Sequence, residues 1–179
     1  MNPFAAHSFK LLVFMLLACV PVQVRAGLPV FDFTGAANEQ GWTAAHDVAE
    51  FKPSREGLVA RISGGDPFIY GPRGDYSGSG QLIFTANLRS PMAGWGQVFF
   101  SPEHASEKQS VHFRVREGWN HVCAPLPPMG AGWRLRVDFP ATSGECVLAR
   151  AGVEEAGARG VARVKADGDL HRTLHPAQG

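Results

Sequence analysis

Apolar residues in this chain recur at every second position and almost nowhere at helical spacing, a pattern that confines it to a β-rich fold. Leu82, Phe84, Ala86 and Leu88 alternate with Ile83, Thr85, Asn87 and Arg89. Val111, Phe113 and Val115 alternate with His112, Arg114 and Arg116, and Trp133, Leu135, Val137 and Phe139 with Arg134, Arg136 and Asp138. Successive side chains of a strand point to opposite faces, so each run is a half-buried strand with one face on a core. The expected fold class is all-β, a two-sheet antiparallel β-sandwich of the jelly-roll kind.

The pattern places strands at 30–33, 42–45, 48–51, 58–63, 81–89, 97–101, 110–115, 119–125, 133–139 and 146–153, with a polar connection at 35–40 that has room for one helical turn. Segment 64–72 contains the short apolar run Phe68, Ile69, Tyr70 between glycine and proline breakers, and it reads as the corner that carries the chain from one sheet to the other. Residues 73–80 form a Gly- and Ser-rich surface loop carrying Asp75 and Tyr76. The prolines at 125–128 lack amide donors and belong at an edge or in a loop.

Residues 1–26 have the layout of a secretory signal, with Lys10 before an apolar stretch from Leu11 to Val20 and Ala26 at the expected cut. That apolar stretch is about half the length a membrane-spanning helix needs. A minority alternative is a lipid anchor, because Leu16, Leu17, Ala18 and Cys19 resemble a lipobox. The expected organisation is a signal at 1–26, one sandwich domain at 27–153 and a flexible tail at 154–179. Without the signal, 15 basic residues face 16 acidic ones, which argues against a nucleic-acid partner. The expected location is secreted or periplasmic. There Cys123 and Cys146 meet an oxidising compartment and are expected to pair, closing a loop worth roughly 3 kcal/mol in the chain-entropy model. Two separate buried thiols are the alternative.

Five segments carry a family likeness: Phe31-Asp32-Phe33 with Gly41-Trp42; Gly57-Leu58 leading to Asp66-Pro67-Phe68-Ile69; Gly96-Gln97-Val98-Phe99-Phe100; Gly118-Trp119-Asn120-His121-Val122; and Trp133 to Pro140. In this order they resemble the galactose-binding-like β-jelly-roll domains of secreted bacterial proteins, similar to carbohydrate-binding modules. The resemblance implies a glycan-binding domain without chemistry of its own, in some cases an accessory to a separate enzyme. It also implies a structural calcium in many members; Asp32, Asp66 and Asp138 are the candidate oxygens, and otherwise no cofactor is expected.

The residues themselves permit a carbohydrate ligand, since sugar rings stack on aromatic side chains and hydroxyls take hydrogen bonds from Arg, Asn, Gln and His. The candidate binding stripe is Asn87, Arg89, Gln97, His112, Arg114, Arg134 and Arg136, each opposite its strand's apolar set, together with Trp95 in a Gly-Trp-Gly turn. An ordinary solvated face accounts for the same pattern. Trp119 and Trp133 are expected in the core, and Trp42 is expected to be a structural anchor. The acids are scattered without a pair suited to glycoside hydrolysis, and no nucleophile elbow, zinc motif or phosphate loop is present. The chain is therefore expected not to be an enzyme. The second function class open to it is a structural or protein-binding envelope domain with no glycan ligand.

Overall fold

A computed structural model describes residues 27–103 and 106–156. The expected signal, the lipid-anchor candidate Cys19 and the tail from residue 157 onward lie outside the described residues. No helix among the described residues is long and apolar enough to cross a membrane.

The described chain forms strands β1 (Val30–Asp32), β2 (Thr43–His46), β3 (Val48–Pro53), β4 (Leu58–Ile62), β5 (Phe68–Tyr70), β6 (Gly74–Asp75), β7 (Leu82–Ser90), β8 (Gly94–Ser101), β9 (Ser110–Val115), β10 (Gly118–Leu126), β11 (Ala131–Asp138) and β12 (Gly144–Glu155). All pairings are antiparallel. One sheet runs β10-β7-β12-β4-β3 with β1 added to β12, and the other β2-β5-β11-β8-β9 with β6 added to β11. We call them the β7 sheet and the β8 sheet. The fold is the all-β sandwich expected. A single 3-10 turn at Glu107–Gln109 is the only helical element among the described residues, and segment 35–40 holds turns rather than a helix.

The alternation read from the sequence sets the core. Leu58, Ile69, Phe84, Leu88, Val98, Leu135, Val137 and Leu148 are fully enclosed between the two sheets. Trp42 anchors one end as expected, 2% exposed and packed edge-on against Phe31 and Phe33 at 5.7 and 5.9 Å. Segment 64–72 is the corner: β4 belongs to the β7 sheet and β5 to the β8 sheet. Asp47 ties it down, its carboxylate accepting from the Asp66 amide at 3.0 Å and its carbonyl from the Ser63 amide at 2.8 Å.

Several expectations are corrected. Tyr76 is fully buried rather than on a surface loop, and burial pushes its hydroxyl up to about 12. β12 continues to Glu155, whose carboxylate accepts from the Ser79 and Gly80 amides, so residues 154 and 155 are part of the sheet.

Cys123 and Cys146 do not pair with each other. Cys123 opposes Thr85, and Thr85 opposes Gly152, six residues along β12 from Cys146. The cysteines are thus two strands apart sideways and roughly 20 Å apart lengthwise at strand rise. A disulfide tolerates a Cα separation of about 7 Å at most. They also face opposite ways: Cys146 points into the core, where burial lifts its thiol to about 12, and Cys123 sits in the half-buried outer row.

Candidate ligand-binding face

The stripe expected from the sequence splits between the two sheets. Asn87 and Arg89 are on β7, whereas Trp95, Gln97, His112, Arg114, Arg134 and Arg136 are on β8, β9 and β11 of the other sheet. Alternation put Asn87, Arg89, Gln97, His112, Arg114, Arg134 and Arg136 on outer faces, and there they lie. The faces are on opposite sides of the sandwich, so the residues form two groups.

The larger group covers the outer face of the β8 sheet in cross-strand rows. Trp95 opposes Arg114; Gln97 opposes His112 on one side and Asp138 on the other; Phe99 opposes Arg136, which opposes Tyr70; Ser101 opposes Arg134. Long side chains reach direct and diagonal cross-strand neighbours on a sheet face, which brings each arginine over a ring. The Arg134 guanidinium lies 4.0 Å from the Tyr70 ring centre and that of Arg114 5.8 Å from Trp95. Arg136 lies between two rings, 3.5 Å from Phe68 and 4.6 Å from Phe99, and His46 stacks on Phe68 at 5.6 Å. Such contacts contribute about 0.5–2 kcal/mol each and hold a guanidinium flat.

Arg136 is also clamped by Asp138 through two 2.6 Å hydrogen bonds, from Nε to Oδ1 and from Nη2 to Oδ2, with Asp66 at 3.4 Å. Burial raises the Asp138 carboxyl above its ordinary value, against the opposing pull of the Arg136 hydrogen bonds and charge. Arg134 and Arg114 have no carboxylate partner among the described residues. The centre of this face is therefore a fixed layer, and its ends carry cations without a matching anion.

Trp95 lies within strand β8 rather than in a turn, 41% exposed. Its flanking glycines answer to the inward side: a Cβ on Gly94 would meet the Pro140 carbonyl at 2.6 Å, and one on Gly96 the Phe113 ring at 2.4 Å. The absence of side chains at 94 and 96 lets β8 lie close to the core while Trp95 faces out.

The second group lies on the outer face of the β7 sheet. Trp119, expected in the core, is 51% exposed there, opposite Arg89, whose guanidinium is 5.9 Å from its ring. Its parity is that of His121, Cys123 and Pro125, while Val122, Ala124 and Leu126 take the core side. Trp133 is half-buried and packs against the core. Asn87 is hydrogen-bonded to His121 at 2.9 Å.

The candidate calcium oxygens do not converge. Asp32 sits on β1 of the β7 sheet, accepting from the Thr34 amide at 2.9 Å, whereas Asp66 and Asp138 are engaged by Arg136 on the other sheet. This set does not fit a calcium ion, and no group of three or more His, Cys, Asp or Glu suited to a metal exists among the described residues.

Comparison of the whole fold with solved structures finds a likeness in fold to modules of enzymes and to an adhesin domain. The CBM1 module of BiXyn10A, in its apo form, superposes with a TM-score of 0.56 at 8% identity, covering 73% of this chain and 100% of that one. The CBM22-1-GH10 structure of Clostridium thermocellum endo-1,4-β-D-xylanase 10B, complexed with xylohexaose, gives a TM-score of 0.52 at 15% identity, covering 74% of this chain and 29% of that one. The K3 cleaved adhesin domain of Porphyromonas gingivalis Lys-gingipain gives 0.50 at 11% identity, covering 73% of this chain and 99% of that one. The chain has the jelly-roll fold of carbohydrate-binding modules. No family model matches the sequence, and no curated protein matches it.

The sequence reading missed Phe68, Tyr70 and Phe99 as parts of the outer face. The signal was present: Phe68 and Tyr70 flank Ile69, and period two sends the middle residue inward and its neighbours outward.

Proposed function

We propose that this chain is a secreted, non-catalytic module that binds a polysaccharide or envelope glycan on the outer face of the β8 sheet. The observation that carries the proposal is the pair of outward ring–guanidinium contacts there, Tyr70 with Arg134 and Trp95 with Arg114, on either side of a fixed layer in which Arg136 covers Phe68 and the buried Phe99. Aromatic faces take the apolar side of a pyranose ring, and arginines and Gln97 donate to its hydroxyls. Holding these side chains in place before binding lowers the ordering cost that otherwise reduces affinity. The modular neighbours in fold support the same reading.

A catalytic role finds no support at the carboxylates. Asp66 and Asp138 both reach Arg136, at 3.4 and 2.6 Å, rather than standing across a cleft as acid and base. An accessory role beside a separate enzyme is consistent with the proposal.

A protein-binding envelope domain is the second reading, favoured by the fold likeness to an adhesin domain. Affinity electrophoresis in gels containing neutral polysaccharides separates the two. Retardation in at least one glycan gel, reduced at least tenfold in apparent affinity in Tyr70→Ala with the fold intact, is the expected result. Migration identical to that in plain gels across the panel would remove the glycan reading and leave the second.

A further inference from the structure

Trp119 and Arg89 reproduce the Trp95–Arg114 arrangement: each tryptophan opens a strand beside a glycine, each opposes an arginine across an antiparallel pair, and the ring–guanidinium distances are 5.9 and 5.8 Å. The two rings are the most exposed aromatics among the described residues, at 51% and 41%.

Both pairs stand at the same end of the sandwich. There, residues 91–93 lead from β7 into β8 and residues 116–117 lead from β9 into β10, each connection crossing between the sheets. The pairs lie on opposite outer faces of that end.

At the same end lies an open groove of about 680 Å³ lined by Arg89, Ser90, Pro91, Glu117, Gly118 and Glu145; Trp119 follows Gly118 in the chain and meets the groove through Arg89 rather than lining it. Glu56 holds Arg89 at 3.0 Å, while the enclosed Arg89 Nε has no acceptor among the described residues. An open groove lined by a guanidinium and two carboxylates, with an exposed aromatic ring against that guanidinium, offers the chemistry of a neutral sugar ring. The apolar ring face stacks, and the hydroxyls find both donors and acceptors. Lys52 and Arg61 meet Glu50 and Arg150 meets Glu154 in ion pairs as exposed as Arg89–Glu56, so what sets this end of the β7-sheet face apart is the exposed Trp119 ring and the groove.

We propose that Trp119 and Arg89 form a second saccharide-binding site, so that the domain engages a polysaccharide at two places on opposite faces. This rests on the glycan reading of the β8-sheet face. Two sites on one rigid body raise the apparent affinity for a polymer by effective concentration, whereas short oligosaccharides fill them one by one.

The test compares wild type, Trp119→Ala, Trp95→Ala and the double variant in gels containing soluble xylan, mixed-linkage glucan, laminarin or mannan. Oligosaccharides of whichever polymer retards the wild type are then titrated by calorimetry. In that gel each single variant is expected to lose about tenfold in apparent affinity, and the double variant to migrate as in a plain gel. Titration is expected to give two oligosaccharides per wild-type chain and one per single-variant chain. Trp119→Phe, which keeps a ring, is expected to recover most of the retardation, and thermal unfolding checks that each variant is folded. Wild-type retardation left unchanged by Trp119→Ala, with one oligosaccharide per wild-type chain, overturns the second site and leaves the glycan reading standing. No retardation of the wild type in any gel overturns both.

Discussion

The two outer faces of the sandwich use the same residue types and are held in place by different means. On the β8 sheet, Arg136 is 17% and Asp138 15% exposed, and the pair is locked between Phe68 and Phe99. On the β7 sheet, the pairs Arg150–Glu154 and Lys52–Glu50 keep roughly two fifths or more of each side chain in solvent. Desolvation makes the difference: an enclosed pair costs energy to form and far more to break, whereas an exposed one is worth little either way. The first arrangement fixes a surface in one shape, and the second only keeps it soluble.

The largest expected effect follows from that contrast. Arg136→Ala leaves an enclosed carboxylate without its partner and uncovers two rings, and it is expected to lower stability by about 3 kcal/mol in urea unfolding. Arg150→Ala on the other face is expected to cost no more than about 0.5 kcal/mol. Similar midpoints for the two variants would break the comparison.

The pH dependence is next in size, and its sign differs between the faces. Burial raises Asp138 above its ordinary 3.8, so its contribution is fully present below that value and is lost as pH rises through the folded-state pKa. The Lys52 hydrogen bond lowers Glu50 below its ordinary 4.5, so its contribution is present above that value and is lost as pH falls. With stability measured between pH 3 and 7, wild type is expected to lose ground to Asp138→Asn as pH rises and to gain ground on Glu50→Gln. Parallel slopes would show that burial does not govern Asp138.

A smaller effect sharpens the comparison at the ligand. Arg134→Gln keeps a hydrogen-bonding group but removes the charge above Tyr70, and it is expected to weaken glycan retardation about threefold with little change in thermal midpoint, since its guanidinium has no ion pair among the described residues to lose. The smallest expected effect is none: adding reductant is expected to leave the thermal midpoint unchanged within about 1 °C, because Cys123 and Cys146 belong to different rows and faces of one sheet.

How far the sequence could be read depends on what alternation encodes. It reports whether a side chain faces in or out, and for Phe84 through Arg89 or Leu135 through Asp138 that reading holds residue by residue, while Ile83 is buried on the outward side and Trp133 is only half-buried. Trp119 is legible in the same way, since its parity is that of His121 and not of Val122, and the expectation of a core position goes against it. Alternation does not say which sheet a strand joins, so Asn87 and Arg89 were grouped with residues on the opposite side of the molecule. Register lies further still from local sequence: the separation of Cys123 from Cys146 is set by where β10 and β12 align on β7, a long-range pairing with no local signature.

The position of β12 has a consequence for how the domain is assembled. This strand lies between β7 and β4 and also carries β1, pairing Val30 with Gly152 across most of the described chain. Until residues 144–155 arrive, β4 and β7 each have a long edge with open amides and carbonyls and no neighbour between them. Ordering therefore waits on the most distant contact, placing this domain among those that fold over milliseconds to seconds rather than microseconds. The interval before β12 docks is when two such chains are most prone to pair with each other.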